Sequence, residues 1–355
     1  MSIANPLHST RGASAVKVIF GILALAVLFA FPRFVTSPYA LHIMILLFLS
    51  TLMGQSWNII GGYAGQYSVG HAAYFGTGAY TTLILLTTRE IPPWYGMWAG
   101  IVAATLLSLV IGTICFRLRG PYFVLASIAV AEILRVTALN LTDLTKGAEG
   151  ILVTDIPPFT IGGTVLTDFS TKVPYYYIAL VLALLIILVT WLVQHSKLGY
   201  YFQAIREDQD AAHSLGINLT VWKNVALAIS AIFTSLAGSF YAIFVKFIDP
   251  STVLPLDLSV QIVLISIIGG IGTIFGPVIG ALVLVPLSEA LRSNLIAQGL
   301  INSGLVSEDS GMGVFLKEHL AHAHVLIYGI LVVVVILFMP EGVMGFIRKV
   351  AAKRK

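Results

Sequence analysis

The sequence predicts an all-α membrane protein, a polytopic bundle of about ten transmembrane helices. Hydrophobic residues make up 58% of the 355 residues and charged residues 10%, whereas soluble domains contain roughly 45–50% apolar and about 25% charged residues. The mean hydropathy is +0.94. The apolar residues are gathered into segments near the ~20 residues that cross a hydrocarbon core. This composition excludes a soluble enzyme, a disordered chain and a nucleic-acid reader.

Ten segments have the composition of membrane-spanning helices. In chain order they are residues 16–34, 39–60, 67–88, 94–116, 121–139, 174–194, 222–247, 258–271, 275–295 and 322–339. The eighth is short, and the glycines at 269, 270 and 272 predict a tight break between it and the ninth. The first has the length of a signal peptide, but no small-x-small cleavage site follows it, so we expect a retained helix.

The basic residues predict how the chain is oriented in the membrane. With both termini in the cytoplasm, twelve of the 20 Lys and Arg residues fall inside, seven fall outside and Arg135 lies within a span. Cytoplasmic loops carry an excess of Lys and Arg. We therefore expect a cytoplasmic N-terminus over residues 1–15, a membrane domain over 16–347 and a basic cytoplasmic tail over 348–355.

Two loops between the spans carry recognisable patterns. In the external loop, residues 140–173, the stretch FTIGGTVL at 159–166 has β-branched residues around Gly-Gly, which predicts a small β-hairpin. The cytoplasmic loop, residues 195–221, predicts a short amphipathic helix that ends at Gly216, a residue type suited to a C-cap. Its apolar positions at helical spacing are Leu198, Phe202, Ile205, Ala212 and Leu215.

The polar face of this amphipathic helix is mainly acidic. Glu207, Asp208 and Asp210 accompany Arg206. A helix that rests on anionic headgroups has Lys and Arg on its polar face. We therefore expect the helix to face a protein partner and not the lipid surface.

Glu132 and Arg135 lie well inside the fifth predicted span. A carboxylate in the bilayer is costly and usually faces the bundle interior or a water-filled path. Arg135 stands three residues on, where the two side chains can pair. Two interpretations remain open, a residue of a substrate path and an ion pair that locks two helices together.

The third predicted span begins with polar side chains among glycines. Gln66, Ser68, His71 and Tyr74 near one end of it predict a polar cavity or a gate, although a single buried histidine such as His71 is often a structural group. Small residues let helices approach closely. The glycines expected to do so are Gly61, Gly65, Gly76, Gly272, Gly276 and Gly280.

Several kinds of chemistry leave no signal in this sequence. The single cysteine, Cys115, excludes an internal disulfide and a cysteine metal site. His319, His322 and His324 have only Glu318 as a nearby carboxylate, and we expect no metal there. The G-x-x-x-x-G-K-[ST] motif does not occur, so no P-loop binds nucleotide. We expect neither enzymatic activity nor a cofactor bound by this chain.

Four ordered motifs resemble LivM-type permeases, the membrane subunits of ABC importers for branched-chain amino acids. The motifs are GQYSVGHAAYFG at 65–76, RLRGPYF at 117–123 with AEILR at 131–135, LGYYFQAIREDQDAAHSLGI at 198–217, and IGGIGTIFGP at 268–277. The resemblance runs from about residue 54 to residue 345. Thr273 replaces the family's usual Ser, Tyr200 stands where Arg is common, and the polar insert 300–313 is longer than typical.

This resemblance implies a bacterial inner-membrane permease subunit that works with a LivH-like sister permease, ATP-binding cassette subunits and a periplasmic substrate-binding protein. ATP is used by the partner subunits. In the family the cytoplasmic helix docks into a groove of the ATPase and conveys its motion. Residues expected to take part here are Arg206, Glu207, Asp208, Ala211, Ala212, Leu215 and Gly216. Those expected along the path or gate are Gln66, Ser68, His71, Tyr74 and Glu132.

Three other functions remain open at the sequence level. Permeases for urea and short amides resemble the same family. A stand-alone secondary transporter or channel can use Glu132 as a proton relay, with discontinuous helices around residues 269–276. A structural membrane subunit without transport is the third, and the polar third span argues against it.

Overall fold

We describe the chain from a computed structural model. The structure describes residues 10–35, 37–161, 164–167 and 169–292, with residues 329, 330, 333, 337 and 342–345. The helices are α1 Thr10–Phe34, α2 Pro38–Asn58, α3 His71–Arg89, α4 Pro93–Cys115, α5 Pro121–Asn140, α6 Thr142–Thr145, α7 Lys172–Gln194, α8 Lys197–Glu207, α9 Gln209–Ser214, α10 Leu219–Val245, α11 Pro250–Val253, α12 Leu256–Gly269 and α13 Gly276–Arg292. The strands are β1 Ile151–Leu152, β2 Phe159–Ile161, β3 Thr164–Thr167 and β4 Phe247–Ile248.

The helices confirm the predicted all-α polytopic class. In the described residues, 6 helical segments are long and apolar enough to cross a membrane, namely Pro38–Tyr63, Pro93–Cys115, Pro121–Asn140, Lys172–Gln194, Leu219–Val245 and Pro250–Gly269. The first nine predicted spans each coincide with a helix, although α1, α13 and the polar α3 are not among these six. The tenth, residues 322–339, lies almost wholly outside the described residues, as do the His319–His322–His324 cluster, the insert 300–313 and the basic tail.

Helix α2 lies at the centre of the bundle. It packs against α7, α10, α12 and α13, and Trp57, Ile59 and Ile60 near its end are fully buried. Helices α4 and α5 lie at the periphery, since less than a third of each apolar window is buried. The central helix is therefore held by the chain itself, while the outer helices present their apolar faces outwards.

The third predicted span differs from the structure at its start. Helix α2 ends in a π-helical turn, Ile59–Tyr63, and residues 64–70 are not helical, so α3 begins at His71 and not at residue 67. Side chains of α2 and α5 form hydrogen bonds with backbone groups of this non-helical segment. Trp57 Nε1 donates to the Ser68 carbonyl at 2.7 Å, and Ser127 Oγ accepts from the Val69 N–H at 2.9 Å. Irregular backbone is tolerated at membrane depth where protein groups satisfy it.

Two small sheets are formed by the loop after α5 and by the segment after α10. Strands β2 and β3 pair antiparallel with Ile161 opposite Thr164, which confirms the predicted hairpin. Strand β1 pairs antiparallel with β4, joining Ile151 to Ile248. This second sheet ties the loop after α5 to the end of α10, and two-residue strands are too short to leave a pattern in the sequence.

The predicted break after the eighth span is confirmed between α12 and α13. Gly270 and Gly272 have φ values of 126° and 71°, which glycine adopts without a Cβ penalty. The two helices pack backbone against backbone, because a Cβ on Gly280 would collide with the carbonyl oxygen of Ile265. A Cβ on Gly269 would collide in the same way with the carbonyl of Gly276.

The other glycines expected at helix contacts have varied surroundings. A Cβ on Gly76 would collide with the Leu254 side chain, as expected for packing between elements. A Cβ on Gly61 would instead meet the ring of Trp57, which lies one turn earlier in the same segment. Gly65 has a φ of 67° and lies beside Arg206, so its role is a turn against the loop between α7 and α10.

Candidate coupling site and transport path

The loop between α7 and α10 contains two short helices, and not the single one predicted. Asp208 separates α8 from α9, because its side chain, and not a helix carbonyl, accepts hydrogen bonds from the backbone N–H groups that follow it. Its Oδ1 accepts from the backbone N–H groups of Asp210 at 2.8 Å and Ala211 at 3.0 Å, which caps α9. Gly216 ends α9 with a φ of 87°, and the Ile217 N–H donates back to the Ala212 carbonyl at 3.1 Å. The predicted C-cap is confirmed.

Most of the apolar stripe on these helices faces the chain's own body. Phe202 and Ile205 are fully buried, and Ala212 is also buried, since α8 packs on α7, α10 and the π-helical turn. Ala212 was expected to pack against a partner, and the structure directs it inwards instead. Leu215, in contrast, is 81% exposed. It remains available to a partner.

Arg206 reaches inwards from the end of α8. Its Nη1 donates to the Gly62 carbonyl in the π-helical turn at 2.8 Å. The same nitrogen lies so close to Gly272 that a Cβ there would be 2.7 Å away. One guanidinium therefore contacts the irregular end of α2 and the break between α12 and α13.

Asn58 joins these two irregular segments to each other. Its Oδ1 accepts from the Gly272 N–H at 2.8 Å, and its Nδ2 donates to the Thr273 carbonyl at 2.9 Å. We call Asn58, Gly62, Arg206, Gly272 and Thr273 the junction cluster. The sequence motifs include most of these residues, but Asn58 and Gly62 carry no motif signal, and they are identified by the contacts alone.

The remaining charges of the loop lie nearer the surface. Arg119, after α4, pairs with Asp210 at 3.0 Å, and both side chains are well exposed. Lys223 at the start of α10 is buried and donates to Gln209 Oε1 at 2.7 Å. Glu207 is exposed. Arg206 differs from these groups because it contacts membrane segments and not the loop.

The polar residues at the start of α3 are packed in the interior. Gln66, Ser68, His71 and Tyr74 are all buried, and His71 Nε2 lies 2.7 Å from Ser230 Oγ on α10. Ser68 and Tyr74 line a void of about 10 Å³, roughly the room that one water needs. Ser68, His71 and Tyr74 lie together in a closed arrangement, and Gln66 is buried nearby in the chain with its amide donating to the Ala64 carbonyl. Their role in a path or gate stays a prediction that requires this region to open.

Glu132 does not join them. Arg135 donates to it through Nε at 2.9 Å and Nη2 at 2.5 Å, so the pair is bidentate within α5. The side chains are 48% and 28% exposed on the outer side of the helix. Within this chain the pair joins residues of one helix and does not lock two helices together, and Glu132 faces outwards because α5 lies at the periphery. Its role in a path stays a prediction.

The described residues contain no cluster of three or more His, Cys, Asp or Glu that could hold a metal. Cys115 is a buried free thiol. Within this part of the chain, the distinctive polar features are therefore the junction cluster, the closed group around His71 and the exposed ion pair on α5.

The fold and these features define a multi-pass α-helical membrane protein whose broken helices meet a loop of two short helices. Residues 39–342 match the model of the branched-chain amino acid transport system / permease component family, and the chain belongs to that family. This confirms the predicted family and the predicted function as a permease subunit of an ABC importer. It does not favour a stand-alone transporter.

Curated relatives agree with this assignment. The chain is 28% identical to the LivM permease protein of the high-affinity branched-chain amino acid transport system of Salmonella typhimurium, over 81% of this chain and 71% of the relative. It is 28% identical to Escherichia coli LivM, over 82% and 73%. It is 22% identical to Escherichia coli LivH, over 83% and 90%. No solved structure shows a significant match.

Proposed function

We propose that this chain imports branched-chain amino acids across a bacterial inner membrane, driven by ATP hydrolysis in cassette subunits that bind α8 and α9. The junction cluster carries this proposal. Arg206 contacts two membrane segments at the points where their helices are interrupted. Interrupted segments change shape at lower cost than continuous helices, so a displacement of α8 can act on both of them.

The outer side of the α8–α9 loop has the composition of a docking surface for a protein. Leu215 is 81% exposed at its tip, and Ala211, Glu207 and Asp208 are exposed beside it. An acidic surface with an apolar tip is poorly suited to anionic headgroups. A groove on the ATP-binding subunit that offers basic residues around an apolar pocket would fit it.

The exposed ion pair on α5 supports a contact between this helix and the sister permease. Glu132 and Arg135 lie near the middle of the 20-residue helix, and charged side chains that face hydrocarbon at this depth are costly even when they are paired. A second protein chain over this face removes that cost. We therefore propose that α5 contacts the LivH-like subunit.

A photo-crosslinking residue at Ile133, which is 64% exposed on α5, tests this contact. We expect an adduct with the sister permease. The matched control is Leu106, 60% exposed on α4, which should give lipid adducts. Lipid adducts at Ile133 would show that α5 faces the bilayer.

Purification in mild detergent followed by mass spectrometry tests the assembly as a whole. We expect a P-loop ATPase and a sister permease to accompany the chain. Recovery of the chain alone, or of a homo-oligomer without ATPase, would contradict the proposal. Uptake of leucine, valine and urea by the reconstituted complex then separates amino acid import from transport of urea and short amides.

A further inference from the structure

A cavity of about 430 Å³ lies between α2 and the α10–α13 region. Pockets that hold small ligands run from ~300 to ~1,000 Å³. Leu49, Met53 and Val285 form part of an apolar wall, and Ser50, Asp257 and Gln261 provide polar groups around it. None of these six residues belongs to the junction cluster or to the closed group around His71.

The cavity runs from the middle of the bundle towards the end opposite the junction cluster. Asp257 stands in the first turn of α12, whereas the Gly270–Gly272 break follows the last turn of the same helix. Helix α11, which also borders the cavity, contacts α5 and the 3₁₀ turn Gly147–Glu149 of the predicted external loop. Asp257 is exposed, so the cavity has an accessible mouth on the side where substrate would be delivered.

Two polar side chains of the cavity lack protein partners within the described residues. Ser50 is 6% exposed, and its hydroxyl makes no hydrogen bond to any of these residues. Gln261 is half-buried, and its amide makes none there either. A hydroxyl and an amide that face a cavity without a protein partner favour an occupant with polar groups.

The lining carries a negative charge at Asp257, and the described lining contains no Lys, Arg or His. This carboxylate favours a cationic group in the occupant, while the apolar wall favours an aliphatic one. An amino acid with a branched aliphatic side chain carries both groups on one carbon.

We propose that this cavity binds a zwitterionic branched-chain amino acid during import, an inference that rests on the proposed function. Its ammonium donates to Asp257, its carboxylate accepts from the Ser50 hydroxyl and the Gln261 amide, and its side chain packs on Leu49, Met53 and Val285. The permease itself then contributes to selection. Urea binds poorly because it has neither a positive charge for Asp257 nor an aliphatic group for the apolar wall. Carboxylic acids that lack the amine bind poorly because they bring no cation to Asp257.

Cavity-filling substitutions in the reconstituted complex test the apolar wall. Val285→Phe should lower leucine uptake at least tenfold, because residue 285 is buried against the cavity. The matched control is Val283→Phe, two positions earlier on the same helix, where the side chain is 37% exposed and does not line the cavity. Equal leucine uptake by the two variants would overturn the assignment of this cavity as a binding site.

Asp257 also favours the N-terminus of α12 through the helix dipole, so its test must separate binding from helix stability. Asp257→Asn should raise the KM for leucine about tenfold or more, and Asp257→Glu should restore most of the affinity. Thermal unfolding of the two variant complexes measures how much each substitution destabilises the fold. An unchanged KM in the Asn variant would contradict the ammonium contact.

Thiol labelling tests binding directly and does not depend on transport. In a Cys115→Ser background, Ser50→Cys places one thiol in the cavity. Leucine should slow its modification several-fold, and 4-methylpentanoate, which lacks the amine, should not. If the unaltered complex imports no leucine, the proposed function fails. If it imports leucine but the thiol is unprotected and the variants resemble the parent, the cavity assignment alone fails.

Discussion

Replacing Arg206 by alanine should uncouple ATP hydrolysis from import while the subunit stays folded. The side chain donates to the Gly62 carbonyl at 2.8 Å and lies against Gly272. Its own position at the end of α8 is exposed, so truncation leaves no cavity in the core. The change therefore removes the link between the loop and the two interrupted membrane segments and little else.

The expected size of the effect follows from the hydrogen bond between Arg206 and the Gly62 carbonyl that the substitution removes. A hydrogen bond to a charged group contributes about 1.5–3 kcal/mol, and partial exposure favours the lower value. A difference of 1.4 kcal/mol is about tenfold in an equilibrium constant. If the contact forms in only one arrangement of the permease, its loss shifts the balance between arrangements about tenfold or more.

The assay measures phosphate released and leucine imported by the complex in proteoliposomes. Arg206→Ala should raise the phosphate-to-leucine ratio at least about fivefold, and Arg206→Lys should lie between it and the parent. Arg119→Ala is the matched control, because its pair with Asp210 is exposed and such pairs contribute only about 0–1 kcal/mol. An unchanged ratio in Arg206→Ala, with normal assembly, would refute the coupling argument.

Three further predictions concern packing, capping and charge. Gly280→Ala should destabilise the purified complex by about 1–3 kcal/mol, measured by thermal unfolding, whereas Gly21→Ala should not, since nothing lies within 4 Å of it. Asp208→Ala should remove the α9 cap at a cost of about 0.5–2 kcal/mol, seen as faster hydrogen exchange of α9; unchanged exchange would contradict the cap. Glu132→Gln leaves Arg135 without its counterion and should reduce recovery of the sister permease, and equal recovery would argue against the α5 contact.

The sequence predicted local elements well where a short-range pattern decides them. The apolar segments gave the helices, and Gly-Gly between β-branched residues gave the β2–β3 hairpin. Gly216 after the acidic helix predicted the end of α9. In each case, neighbours within a few residues supply the physical cause. The start of α3 was misplaced because its backbone partners, including Ser127, come from distant parts of the chain.

The sequence predicted which residue types form the candidate site, but not which groups they contact or which way they face. The motif around Arg206 predicted a contact with a partner protein, but the guanidinium reaches a carbonyl 144 positions earlier in the chain. Glu132 was expected to face the interior, because a charge in a membrane span usually does. The packing of α5 at the periphery places it on the surface instead.

The sequence by itself determined the membrane class, the helical segments, the family and the absence of a P-loop. These follow from composition, hydropathy and local motifs. Only the tertiary structure decided that Asn58 and Arg206 join the two interrupted segments, that Ser50 and Asp257 border one cavity, and which face of each helix is buried. The reason is that side chains from segments more than a hundred residues apart meet only when the helices have packed, and no short-range pattern encodes those contacts.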